Sequence, residues 1–421
     1  MTALVGILNK RAAVIAADSA VTITNGDNRT IINTAKKIFR LSNSNPVGVM
    51  IYSSADFMDI PWEVLIKLYR DKNSGKSFDT LQEYVDDFIY FLRHNKNCID
   101  KDAQANYLDL HAELFFNKIK SYYNYKLKMV KDDSDNQEQV ITECMDYAFN
   151  TFADYCKEGG SGSEFDGYKL QQFRTYAKEA LNTLKNLCKD NKMPSSPMRW
   201  EKGLFNYITS NYYLRHTGVV FVGYGNDEIY PSLISLQISG FVDDRLRFFI
   251  DEDASDTINN KNLSYVAPFA QTDVMTSLLK GMHPYMYDIV MRNHEEAMNN
   301  VKKQMITAMK DAGVREKLID KFSKFDLTPY IEQFGEKIEE NTYNCFSSDI
   351  VEAVASFNIE DMVKMAESMI SITNLQRHIS SSEESVGGPV DVAVITKSEG
   401  FVWINYKHWF EQNMNPQVFR P

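Results

Sequence analysis

The sequence predicts an α+β protein with a large helical section set into the middle of the chain. Three observations predict it. Two short apolar runs, Ala3 to Leu8 and Ala12 to Ala17, open the chain around a polar break and read as a buried strand hairpin. Helix-period pattern then dominates Lys96 to Arg215, and strand-like runs return at Thr217. A final apolar hairpin, Val390–Ile395 and Phe401–Ile404, turns at Ser398-Glu399-Gly400. At 421 residues the chain is long for one compact domain, and 44% hydrophobic content allows a sizeable core.

The elements follow in order. After the first hairpin, Thr34 to Leu41 is a third candidate strand that begins with Lys36-Lys37. Val47 to Asp56 is a fourth, running into a helix over Asp56–Asp71, where Pro61 precedes apolar residues at helical spacing. A second helix starts at Asp79 or Thr80, either of which can cap it, and runs to about His94. Leu108, Ala112, Phe115, Ile119 and Tyr122 then mark one helix face. Further helices are expected over Gln137–Lys157, Asp166–Asp190 and Met198–Tyr212, separated by Gly159-Gly160-Ser161-Gly162-Ser163 and Pro194-Ser195-Ser196-Pro197. The aromatic residues from Tyr107 to Tyr125 are read as a buried helix face. Strands follow at Thr217–Gly225, Ser232–Ser239 and Arg245–Ile250, then helices at Ala270–Met282 and Tyr285–Ala312. The helix Asn358–His378 carries Met362, Val363, Ala366, Met369 and Ile370 on one side, a core-facing stripe. The tail from Trp409-Phe410 onward is expected to pack on its own domain.

Composition removes several classes of function. Net charge is −11, with ten acidic and two basic residues between Lys131 and Gly167, which disfavours nucleic-acid binding. The five cysteines are widely spaced with no Cys-x-x-Cys pair, so neither a zinc ribbon nor a redox motif is indicated. No signal peptide or transmembrane stretch is evident, and a cytoplasmic protein with no membrane partner is expected. His294-Glu295-Glu296 fails as a zinc-protease motif because position 298 is Met298. Gly223-x-Gly225 is too short for a dinucleotide fingerprint, and there is neither a Gly-x-Ser-x-Gly elbow nor a phosphate-binding Gly-x-x-x-x-Gly-Lys loop. No cofactor and no metal is expected.

The chemistry lies at the start. If Met1 is removed, Thr2 carries a free α-amine beside its hydroxyl, a nucleophile with its own base. Thr2, Ala16-Ala17-Asp18-Ser19, Lys36-Lys37 and the Ser54-Ala55-Asp56 turn before a helix together resemble the proteasome β-subunit family, including its bacterial heat-shock peptidase branch. In that resemblance Thr2 matches the nucleophile, Asp18 the aspartate and Lys37 the active-site lysine. The longer interval to Lys37 is taken up by an Asn25-Gly26-Asp27-Asn28 turn. Ser385-Val386-Gly387-Gly388 resembles the family's late Ser-Gly-Gly segment, with Val386 in place of a serine and Glu383 in place of an aspartate. Tyr52-Ser53-Ser54 replaces the glycine-rich oxyanion turn, and Ala267–Gln271 is the nearest candidate for the mid-chain Gly-Ser-Gly turn. The resemblance covers Thr2–Arg70 and, more weakly, Thr217–Met282 and Ile359–Asn405.

The resemblance implies a four-layer α/β/β/α sandwich of the N-terminal-nucleophile (Ntn) hydrolase type. Its core would be 1–95 and 216–421, with 96–215 as a helical insertion. It implies threonine-type hydrolysis of peptides by Thr2, Asp18 and Lys37, supported by Tyr52, Ser53, Glu383, Ser385 and Gly387. A peptide or protein substrate, a homo-oligomer and an ATPase or regulatory partner belong to the same expectation. Two alternatives stand beside it: a small-molecule Ntn amidase, and a catalytically silent subunit or binding module on the same sandwich.

Overall fold

The structure is a computed structural model that describes residues 2–19, 21–25, 28–32, 36–129, 137–194, 196–380 and 388–407. Strands β1 (Ala3–Asn9), β2 (Ala13–Ala17), β3 (Val21–Asn25), β4 (Asn28–Ile32), β5 (Ile38–Arg40), β6 (Val47–Tyr52), β7 (Asp56–Phe57) and β8 (Ile60–Pro61) come first. Helices α1 (Trp62–Lys72), α2 (Leu81–Arg93), α3 (Lys101–Met129), α4 (Gln137–Glu158), α5 (Leu170–Tyr176), α6 (Lys178–Asp190) and α7 (Pro197–Thr209) follow. The chain returns to strands at β9 (Thr217–Gly223), β10 (Ser232–Val242), β11 (Arg245–Thr257) and β12 (Ser264–Ala270). It continues through α8 (Asp273–Lys280), α9 (Pro284–Asp311), α10 (Glu316–Ser323), α11 (Thr328–Thr342), α12 (Ser348–Ser356) and α13 (Ile359–Ser380) to β13 (Asp391–Thr396) and β14 (Gly400–Asn405). This is a mixed α+β fold with two antiparallel five-stranded sheets, ordered β12-β1-β2-β13-β14 and β11-β10-β9-β6-β5.

The chain divides into two compact units. One holds Met1–Ala35, Ile258–Val394 and Trp403–Pro421. In it, alternation along β1 and β2 sends Ala3, Val5, Ile7, Val14 and Ala16 to a face covered by Met275 of α8, Val354 of α12 and the stripe Met362, Ala366, Met369 and Ile370 of α13. The opposite-facing Leu4, Leu8, Ala13 and Ile15 are equally inaccessible to solvent. Strands with both faces buried read as unbroken apolar runs. The polar break between them is a side-chain-stabilised turn. Asn9 Oδ1 accepts the N–H groups of Arg11 and Ala12, and Asn9 Nδ2 donates to the carbonyls of Val354 and Phe357 at the end of α12.

The other unit holds Lys36–Thr257 and Ile395–Val402. Val47, Val49 and Ile51 of β6 and Val219 and Phe221 of β9 meet Trp62 and Leu65 of α1 and Phe88 and Leu92 of α2. The α2 N-terminus is a full capping box: Thr80 accepts from the Glu83 N–H while Glu83 reaches back to the Thr80 N–H. Helices α3 to α7 enclose an aromatic cluster of their own, with Phe115, Phe116, Phe149, Phe152, Trp200 and Tyr207 buried, and take Val242 from β10. Asp243 and Asp244, both at positive φ (51° and 58°), turn β10 into β11 as a two-residue hairpin. Fully buried Gln104 clamps that turn, accepting the Asp244 N–H and donating to its carboxylate.

Several expected elements differ. The helix read over Asp166–Asp190 is two helices, with a break at Ala177. The third strand is only Ile38–Arg40, and a short β7–β8 hairpin precedes α1, so Pro61 caps that helix instead of opening it. Ala270, read as helical, ends a strand, and α8 starts at Asp273. The tail from Trp409 lies outside the described residues. Among the described residues no helix is long and apolar enough to cross a membrane.

One buried group gives this fold a pH dependence. His111 of α3 is fully buried, with Nδ1 2.6 Å from the Tyr207 hydroxyl. Burial, reinforced by the Arg247 and Arg215 charges, pushes its pKa well below the ordinary 6.5. The folded state therefore binds fewer protons at this site than the unfolded state, so stability is full above about 6.5 and falls as pH drops below it. Chemical denaturation between pH 8 and 5 should show a loss of about 1.4 kcal/mol per pH unit from this proton below pH 6.5. His111→Gln should remove one proton from that slope. An unchanged slope in the variant would contradict the assignment.

Candidate active site

Thr2 stands half-buried at the start of β1. Its carbonyl accepts the Gln271 N–H (3.1 Å), and the following residue, Ala3, pairs with Ala270 across β12. On the other side, the pairing Leu4↔Ala17 brings the end of β2 beside Ala3. There the Ala3 N–H donates to Asp18 Oδ1 at 2.9 Å, and the Asp18 N–H donates back to the Ala3 carbonyl at 3.1 Å. Asp18 is fully buried. A carboxylate is kept in such a position only where hydrogen bonds and charges offset its lost hydration. Ser19 extends the arrangement, its hydroxyl donating to the Pro389 carbonyl at 2.5 Å.

Sequence reasoning missed a second polar group in this unit, at the end of β12. Ala270 adopts φ +66°, a conformation unusual for a residue with a Cβ, and the chain then turns into α8. Gln271 Oε1 accepts from Arg377 Nε at 2.8 Å, and Arg377 also pairs with Asp273. His283 Nε2 lies 3.6 Å from the second Asp273 oxygen. Gln271 Nε2 is buried with no partner among the described residues. Arg377 comes more than 100 positions after its partners (separations of 106 and 104), so no local periodicity announces the group. Residues Ala267 to Gln271, the candidate for the mid-chain turn, are instead a strand end and the bend after it, with a backbone bond from the Gln271 N–H to the Thr2 carbonyl.

Of the paired lysines in the other unit, the structure distinguishes one. Lys36 is at the surface, with Nζ 2.7 Å from Glu63 Oε1. Lys37 is buried, 4% exposed, and its carbonyl accepts the Ile51 N–H at 2.8 Å at the head of the β5–β6 pairing. A lysine is rarely found this deep without a compensating interaction.

Tyr52 ends β6 on the face away from α1 and α2, directly over Gly218 of β9. A Cβ built on Gly218 would lie 1.9 Å from Tyr52 Cζ, so only glycine lets the ring sit there. Burial pushes the Tyr52 phenol up to about 12, with the Ser235 hydroxyl opposing the shift and the Asp251 charge adding to it. His216 stands edge-on to the Tyr52 ring (6.4 Å between centroids), and burial lowers its pKa against the pull of Asp251. Ser53 follows at φ +73°, so the turn where the resemblance has glycine keeps a left-handed conformation with a serine in it. That costs on the order of 1–2 kcal/mol. Glu383, Ser385 and Gly387 lie outside the described residues. Among the described residues no group of three or more His, Cys, Asp or Glu side chains could hold a metal ion.

No protein-family model matches this chain, and no curated protein matches it. Among solved structures, the Anbu (Gly-1) mutant from Hyphomicrobium sp. strain MC1 aligns over 99% of this chain and 93% of its own, with 9% identity and a TM-score of 0.29. A likeness at that level carries no argument about activity.

The Tyr52–Gly218 packing has a direct consequence. Gly218→Ala should lower stability by about 2–3 kcal/mol through overpacking, measured by denaturant titration. The double variant Tyr52→Ala/Gly218→Ala should recover part of the loss relative to the sum of the single changes. A neutral Gly218→Ala would mean that the ring is not packed on this residue.

Proposed function

We propose that this chain is an N-terminal-threonine amide hydrolase, acting on peptides, with Thr2 as the nucleophile once it is the mature terminus. The observation that carries the reading is the bond from the Ala3 N–H to the buried Asp18 carboxylate, which fixes the backbone next to Thr2 and leaves Thr2 partly open to solvent. In the proposed reaction the α-amine of Thr2 takes the proton of its own hydroxyl. The hydroxyl oxygen attacks the amide carbon, the Thr2 α-ammonium passes its proton to the amide nitrogen of the substrate, and the oxyanion collapses with loss of the protonated leaving amine to an acyl-enzyme. Water then attacks the ester, frees the acid and returns the proton to the threonine oxygen.

The supporting roles follow from charge. In the proposed mechanism Lys37 is the positive charge that favours the neutral amine and the developing alkoxide, with Asp18 in the role of its counter-charge. Backbone N–H groups of the Tyr52–Ser53 turn hold the oxyanion, a role the left-handed Ser53 backbone suits. The finer fold assignment, a four-layer α/β/β/α sandwich with core 1–95 and 216–421 and insertion 96–215, belongs to the same proposal. It is supported by helices covering one face of each sheet. A homo-oligomer is part of it too. Light scattering that finds only a 48.4 kDa species under all conditions would remove that part.

The test is kinetic. Intact mass and terminal sequencing should find Thr2 as the first residue of active protein. Thr2→Ala should abolish peptide cleavage with stability changed by less than about 0.5 kcal/mol, since one partly exposed hydroxyl contributes little. Thr2→Ser should retain measurable turnover. Lys37→Ala should lower kcat by 10²–10³, about 3–4 kcal/mol of electrostatic stabilisation. Full activity in Thr2→Ala, or in protein whose terminus precedes Thr2, would overturn the proposal.

A further inference from the structure

Helices α6 and α7, with Lys192 and Met193 after the end of α6, frame a cavity of about 530 Å³, within the ordinary size range of small-molecule sites. Its wall is apolar. Leu184 (2% exposed) and Trp200 (3%) form the deep side, with Leu181 and Met193 nearer the opening. Cys188 adds to that wall as a neutral thiol, since burial pushes its pKa up to about 11.

The opening is predominantly cationic. Lys185, Lys189 and Lys192 all line it. Lys185 and Lys189 are one turn apart on α6, a like-charge spacing that costs the helix a few tenths of a kilocalorie. Lys192, just past the helix end, is held at φ +50°. Among the described residues none of the three lysines has a carboxylate partner. The one acid lining the cavity, Glu201, is already paired with Arg174. In a chain of net charge −11, three uncompensated cations around one apolar opening form a local exception.

We propose that this cavity binds a single-chain fatty carboxylate, its alkyl chain against Leu184, Trp200, Leu181 and Met193 and its carboxylate among Lys185, Lys189 and Lys192. The apolar wall supplies affinity that grows with chain length. The lysines select an anionic head over a neutral one, because a neutral head would leave their mutual repulsion unrelieved. The site is independent of the chemistry at Thr2.

The experiment uses the full chain and the intrinsic fluorescence of Trp200. An ω-brominated dodecanoate should quench that emission saturably, at one equivalent and below its micelle concentration. Affinity should rise about fourfold per methylene from decanoate to tetradecanoate. Dodecanol should bind at least tenfold more weakly than dodecanoate. The surface triple variant Lys185→Ala/Lys189→Ala/Lys192→Ala should lose at least tenfold in dodecanoate affinity with its melting curve unchanged. Trp200→Phe should lose the quenching signal. Because Trp200 is buried and that variant can fail to fold, Met193→Trp provides a second arm, filling the cavity from its outer side and blocking binding. Equal affinity for dodecanol and dodecanoate, wild-type affinity in the triple variant, or quenching that appears only with fatty-acid micelles or lipid vesicles would overturn the proposal.

Discussion

The carboxylate of Asp18, buried and bonded to the Ala3 N–H, fixes the register on which the candidate site depends. Successive residues of a strand face opposite ways, so a slip of one residue would exchange every buried side chain of β1 with its neighbour. Asp18 holds the open end of the β1–β2 hairpin against that slip. Asn9 holds the closed end, binding its own turn through Oδ1 and the last carbonyls of α12 through Nδ2. With both ends fixed and both faces packed, the backbone leading to Thr2 has little freedom. The residue nearest that rigid frame is the one with a hydroxyl and the potential for a free amine.

The other unit solves a different problem, that of placing polar groups among aromatic ones. Arg247 is 1% exposed, yet it is solvated within the fold. One guanidinium nitrogen donates to the Tyr107 hydroxyl (2.8 Å) and another to the Tyr207 carbonyl (3.0 Å), while the group lies over the rings of Tyr207 and Tyr213. Tyr107 is within 2.5 Å of the Ser239 hydroxyl, which donates to the Arg215 carbonyl. Hydroxyl, carbonyl and ring faces around the cation reduce the cost of burying it, while Arg247 Nε stays without a hydrogen-bond partner among the described residues. The same cluster ties α3 and α7 to β10 and β11, so the helical section and the sheet of this unit share polar as well as apolar contacts.

Much of this was legible in the sequence where a local pattern controls the outcome. The apolar runs of β1 and β2, the helix start at Asp79 or Thr80 and the Met362–Met369 stripe each carry their own signal, and each formed the expected element, with Thr80 as the cap and Glu83, which is not among the expected capping residues, closing it. β12 was hidden because Pro268 argues against a strand. Proline is tolerated there because β12 is the edge strand of its sheet among the described residues, paired with β1. The break inside 166–190 has no proline or glycine to mark it. The family resemblance singles out Thr2, Asp18 and Lys37; Asp18 and Lys37 are buried, Thr2 is half-buried, and burial separates Lys37 from its neighbour Lys36. The Gln271–Arg377–Asp273 group was not legible, since tertiary folding alone brings α13 to the end of β12.

In the proposed mechanism the Thr2 hydroxyl and amine act together on an amide. A peptide epoxyketone tests it directly, because the reagent closes a ring only with both groups on one terminal residue. After reaction, proteolysis and mass spectrometry should find one adduct, on the peptide that begins with Thr2, and none on Thr2→Ala protein. Protein with Thr2 as its free terminus that takes up no reagent, or an adduct mapped to any other residue, would contradict the account.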